Sequence, residues 1–191
     1  MHNEGFNISR ESDESLLRQH GHFHAVRSAT GVRIPEFDAV PPNVAAEFLR
    51  GCCGSSRWVS AMIERRPFGS REAAFNAADE IWKSLDRSDW LETFASHPRI
   101  GEQTKNSVAA REQSAVKTAD DGVRAQLAQV NRDYEQRFGY IYIVCATGKS
   151  AEEMLAIARH RLNNDPATEL AVAAEEQRKI TQLRLAKLLE D

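Results

Sequence analysis

Three short stretches of this 191-residue chain carry side chains able to move protons or hold anions: His97 in FASHPRIGEQ, Glu112 and Gln113 in AREQS, and Arg159 and Arg161 in RHRLNND. An imidazole titrates near neutrality, at about 6.5 unperturbed, so His97 can donate or accept a proton at physiological pH. It follows an apolar helical stretch and precedes Pro98, which restricts its backbone and projects the ring from a fixed point. A plain helix C-cap is the competing role for the same residue. Glu112 and Gln113 diverge by about 100° on a helix, so both face one pocket only if it lies at the helix flank; a solvated helix face is the alternative. Arg159 and Arg161 point about 200° apart, so only one of them can meet a buried anion, and a surface arginine favoured by the helix C-terminus is the blander reading of Arg161.

The absent patterns narrow the chemistry. The chain has no GxGxxG, no GxxxxGK[ST], no GxSxG and no HExxH, so phosphate cradles, nucleophile elbows and helical zinc sites are unsupported. His20, His22 and His24 alternate in HGHFH, which suits metal ligation in principle but reads more simply as a solvated tail. No resident metal is expected. The three cysteines, Cys52, Cys53 and Cys145, form neither a disulfide framework nor a CxxC pair and are expected to be reduced.

The elements that must position these residues read as helices. PPNVAAEFLRG opens on proline and closes at Gly51; SSRWVSAMIERRP starts from a serine cap, sets Trp58, Met62 and Ile63 on one face, and stops before Pro67. SREAAFNAADEIWKSL carries an apolar stripe from Ala74 to Leu85. SDWLETFASHP begins at Ser88 or Asp89, buries Trp90, Leu91 and Phe94, and ends near His97. SVAAREQSAVK is three turns long, DDGVRAQLAQVNRDYEQRFG has a stripe from Val123 to Phe138 ended by Gly139, and SAEEMLAIARHRLNND opens with a Ser150/Glu153 capping box. A last helix is expected from about Thr168. One stretch breaks the pattern: YIYIVCAT, residues 140 to 147, is β-branched and aromatic but has no visible strand to pair with. It must become helix by tertiary override or an extended segment whose backbone partly faces a ligand. The fold class expected is all-α, a single irregular bundle of about seven to nine helices over residues 34–191, preceded by a flexible extension over residues 1–33.

With 41% apolar and 28% charged residues, and a net charge of −3 from interspersed ions, the chain has the composition of an ordinary soluble domain. It offers no field for nucleic acid or an anionic membrane, no run of ~18 apolar residues for a membrane span, and no signal-peptide pattern in its first twenty residues. A cytoplasmic location is expected.

Taken together and in order, RWVSAMIERRPF, SHPRIGE, REQS, NRDYEQRFGYIYIVCATGKS and RLNND...TEL strongly resemble the OHCU decarboxylase family, over about residues 37 to 172. The resemblance implies cofactor-independent decarboxylation of 2-oxo-4-hydroxy-4-carboxy-5-ureidoimidazoline to S-allantoin, the third step of urate degradation in purine metabolism. It implies His97 as catalytic proton donor with Glu112 as its partner, and Arg161 as the arginine of the pocket. It implies substrate contacts at Pro98, at Ala109, Ala110, Arg111, Glu112 and Gln113, and, largely through backbone, at Tyr142, Ile143, Val144, Cys145 and Ala146. Ala109 departs from the family's serine and removes one hydroxyl hydrogen bond. Two alternatives stand beside this reading: a helical ligand-binding module without catalysis, and a decarboxylase of a related ureido acid. The implied partner is a small-molecule substrate. The family is often dimeric, and EFLRGCCGSSRW is apolar enough to contribute a homodimer interface.

Overall fold

Capping residues, prolines and glycines cut the chain into helices largely where they occur. The computed structural model describes residues 31–100, 116 and 118–191. Among these are eight helices: α1 (Ile34–Ala39), α2 (Pro42–Cys52), α3 (Ser56–Glu64), α4 (Arg71–Ser84), α5 (Arg87–Ala95), α6 (Asp121–Phe138), α7 (Ala151–Arg161) and α8 (Pro166–Leu188). The only strands among the described residues are β1 (Val32–Arg33) and β2 (Leu189–Glu190), a two-residue parallel pair in register Val32 to Leu189 and Arg33 to Glu190. The all-α expectation holds, and Val32, two residues before Ile34, is already buried against β2.

The caps account for the boundaries. Ser55 accepts from the Trp58 N–H and opens α3; Ser70 accepts from the Ala73 N–H and opens α4. In α5 the cap is Asp86, not Ser88 or Asp89. Its carboxylate accepts from the Ser88 and Asp89 N–H groups while Asp89 Oδ2 accepts from the Asp86 N–H at 3.0 Å, a reciprocal box that a serine start would lack. Trp90 and Leu91 are only partly buried, whereas Phe94 is fully inside. Gly139 ends α6 at φ +79°, a left-handed conformation that a Cβ would strain, and its N–H donates to Glu135 O at 2.8 Å. The Ser150/Glu153 box forms in both directions. Asp165 caps α8 with Pro166 in its first turn, two residues ahead of the Thr168 start expected. Helix α2 runs on through Gly51 to Cys52.

Apolar faces set the packing. Trp58, Val59 and Met62 of α3 meet Ala74, Ala78 and Ile81 of α4, and Trp58 Nε1 donates to Ala78 O at 3.2 Å, so the largest buried ring keeps its donor satisfied. The long α8 packs against α2 and α4, and α7 against α6. In EFLRGCCGSSRW the residues Leu49, Cys52, Cys53 and Trp58 are all buried in this chain's own core. No helix among the described residues is long and apolar enough to cross a membrane. Residues 141 to 146 form neither helix nor strand. They are nonetheless buried from Tyr142 to Ala146, and the helix by tertiary override does not form here.

Candidate active site

Where α5 runs out, the chain is held in place rather than left as a loose loop. The His97 N–H donates to Phe94 O at 3.1 Å, closing a last tight turn, and Pro98 prevents another. Arg99 forms a two-pronged ion pair with Glu135 of α6, both distances 3.0 Å, and Ile100 O accepts from the Asn131 side-chain amide at 3.1 Å. His97 and Pro98 thereby sit half-buried on the rim of a cleft of about 470 Å3, counting the space open at its mouth.

The strandless run lines the same cleft. Tyr142, Ile143, Val144, Ala146 and Thr147 line it together with Ile100, and Ile180 and Leu183 of α8 supply an apolar wall. Six of the residues singled out from the sequence therefore converge: His97, Pro98, Tyr142, Ile143, Val144 and Ala146. Cys145 is turned away. Its N–H donates to Glu176 Oε2 at 2.8 Å and its carbonyl accepts from Lys149 Nζ at 2.7 Å. Burial pushes the Cys145 thiol above its ordinary range. Burial alone would also raise the Glu176 carboxyl, but the Lys179 ammonium and the Cys145 N–H outweigh it and hold that carboxyl below the usual range.

Arg161 does not line the cleft; it stands behind the wall. Its Nη1 donates to Ile143 O at 2.7 Å, its Nε and Nη2 donate to Glu169 Oε1 at 2.8 and 2.6 Å, and Nη2 also reaches the Tyr134 hydroxyl at 3.2 Å. The guanidinium lies 5.8 and 5.0 Å from the centroids of the Tyr134 and Tyr142 rings. The Arg161 and Glu169 side chains are 5% and 0% exposed, so this is a buried ion pair and not a surface arginine. Burial disfavours the charge on Arg161, but Glu169 and Tyr134 overcome it and raise its pKa. Burial likewise raises the Tyr134 phenol, which stays protonated and donates to Glu169. Arg159, two residues earlier, is exposed and bonds Gln126 at 2.6 Å, which matches the expectation that only one of the two arginines meets a buried anion.

Ala109, Ala110, Arg111, Glu112 and Gln113 lie outside the described residues, as do His20, His22 and His24. Sequence reasoning missed Ile100, Thr147, Ile180 and Leu183 on the cleft, and Glu169 and Glu176 behind it. Ile180 and Leu183 could have been found from their three-residue spacing in a helix with few other apolar pairs. Glu169 gave no such signal, because a glutamate in a first helical turn reads as a dipole partner.

The OHCU decarboxylase family model matches residues 38–186. The chain is 38% identical over 148 residues to the uric acid degradation bifunctional protein TTL of Arabidopsis thaliana, covering 73% of this chain and 46% of that protein. It is 30% identical over 138 residues to the 2-oxo-4-hydroxy-4-carboxy-5-ureidoimidazoline decarboxylase of Amia calva, covering 69% of this chain and 79% of that one. The chain thus spans less than half the length of the bifunctional relative. A crystal structure of an OHCU decarboxylase in the presence of (S)-allantoin superposes with a TM-score of 0.67 at 37% identity, over 74% of this chain and 96% of the other. With a family model covering most of the chain and a fold that superposes on a solved member, the chain belongs to the OHCU decarboxylase family.

Proposed function

We propose that this protein decarboxylates 2-oxo-4-hydroxy-4-carboxy-5-ureidoimidazoline to S-allantoin without a cofactor. The observation that carries the reading is a cleft lined by both an imidazole and a buried, strandless backbone run. Loss of carbon dioxide from a carbon beside a C=N bond leaves an electron pair that the imidazoline ring delocalises, so the substrate supplies its own electron sink. The protein has three tasks. It fixes the ring so that the breaking C–C bond overlaps the π system, it excludes water, and it delivers one proton to one face. The backbone of the run reads the ring and its ureido arm where it lines the cleft and its groups are free to do so, around Val144, and Ile100, Ile180 and Leu183 make the apolar wall. Protonated His97, with Glu112 as the partner of the ring, donates to the ureido-bearing carbon, to which the electron pair has moved. The carbon that lost its carboxyl group becomes a carbonyl as its hydroxyl proton leaves. Arg161 serves this site through Ile143 rather than by touching the substrate.

The test generates the unstable intermediate with urate oxidase and hydroxyisourate hydrolase, adds the protein and follows optical activity. The expected result is faster loss of the intermediate with formation of one enantiomer, where unassisted decay yields a racemate. His97→Asn is expected to fold and to lose ~10²- to 10⁴-fold in rate together with enantiomeric excess. Retention of most activity in that variant would overturn the assigned role. The same proposal places the protein in the cytoplasm and allows a homodimer, which sedimentation of the full chain decides.

A further inference from the structure

Behind the cleft, one fully buried carboxylate has every oxygen occupied. Glu169 Oε1 accepts from Arg161 Nε and Nη2 and from the Tyr134 hydroxyl, and Oε2 accepts from the Asn164 side-chain amide at 2.7 Å. The arginine it holds spends its remaining nitrogen on a single backbone atom, Ile143 O. So much charge and burial around one carbonyl is more than packing needs, since a buried ion pair is an expensive way to fill a core.

The direction of that carbonyl has a consequence one atom further on. In a planar trans peptide the C=O of residue 143 and the N–H of residue 144 point in opposite directions. Arg161 fixes the first, so it fixes the second. On the next peptide Glu176 captures the Cys145 N–H, which turns the Val144 carbonyl the opposite way by the same rule. Both peptides flanking Val144 are therefore pinned, and in an extended residue its own N–H and C=O point to one side, away from the groups that hold their neighbours. Val144 is 5% exposed and lines the cleft, yet among the described residues neither of these groups has a hydrogen-bond partner. A buried backbone pair of this kind calls for a partner. The fitting ligand edge is a planar H–N–C=O unit, as in a ureide or lactam, which bonds such a pair the way a neighbouring strand does.

We infer that Glu169, acting through Arg161, is a positioning residue that aims the Val144 N–H and C=O into the cleft to read the ureide edge of the ligand. The ligand class rests on the function proposed above, while the aiming of Val144 rests on the geometry alone. Two readouts separate these. One is kcat and KM in the coupled assay, measured well below the melting temperature. The other is the Val144 amide resonance of the 15N-labelled full chain, which needs no turnover.

Glu169→Gln is expected to displace the Val144 resonance and to lower kcat/KM about 10- to 100-fold, the scale of a small misplacement of a bound reactant. Titration of the wild type with (S)-allantoin is expected to move the same resonance. Leu185→Ala, a core change on the same helix, is expected to melt earlier while keeping both the resonance and the kcat/KM of the folded protein. A folded Glu169→Gln with an unmoved Val144 resonance or with wild-type kcat/KM would overturn the inference, as would a resonance indifferent to (S)-allantoin. Tyr134→Phe removes only one of the donors to Glu169 and gives a milder version of the same displacement; if Glu169→Gln does not fold, wild-type values in Tyr134→Phe overturn the inference instead. A wild type that turns over nothing would refute the proposed function and leave the resonance to judge the positioning.

Discussion

At His97 the chain passes from helix to loop, and the anchoring of that loop decides where the imidazole points. Asn131, 4% exposed, donates its side-chain amide to Ile100 O and so ties the loop to α6. Asn131→Ala leaves that buried carbonyl unmet, at a cost of about 1–3 kcal/mol. We expect the variant to melt earlier and also to lose activity at temperatures where it is fully folded, because the rim loosens; thermal melts paired with the coupled assay check both. The sequence announced His97 and Pro98 through a proline break after an apolar stripe, which is a local signal. It did not announce that Arg161 works from behind the wall. Residues 143 and 161 are far apart in the chain, and only the packed structure shows which carbonyl the guanidinium meets.

Among the elements, most helices were readable because they have a cap and a stripe, and the failures obey the same rule. Six-residue α1 is too short to show a period, and in α5 the nearby Ser88 and Asp89 masked Asp86, the residue that caps the helix. The strandless run was legible as an exception and not as a solution: its composition demanded extended backbone, but the groups that satisfy it come from α7, α8 and Lys149. Glu176 makes that dependence testable by pH. Its carboxyl titrates lower in the folded chain than its ordinary 4.5, so its contribution to stability is in place above that value and is lost as pH falls through the lower folded value. Stability of the wild type to denaturant should therefore weaken as pH falls below 4.5, and Glu176→Gln should show a smaller acid-side fall.

For the whole molecule, the parallel pair of β1 and β2 joins the two ends of the described fold. Leu189 is 1% exposed beside Val32, and Arg71 of α4 donates to Leu189 O at 3.0 Å and Ala186 O at 3.3 Å. Leu189→Ala should cost about 2–5 kcal/mol by thermal or chemical melting, the range for emptying a packed core site. No sequence pattern marks this closure, since two residues are too few for alternation. Helix α8 joins it to the rest. One continuous rod carries Glu169, Glu176, Ile180 and Leu183 along one side and ends in the pair that closes the fold. That rod ties the cleft wall to the closure of the whole fold. Deuterium uptake at the Cys145 amide should therefore proceed only through wholesale opening, with a protection free energy matching that of global unfolding, whereas a wall free to breathe on its own would exchange sooner.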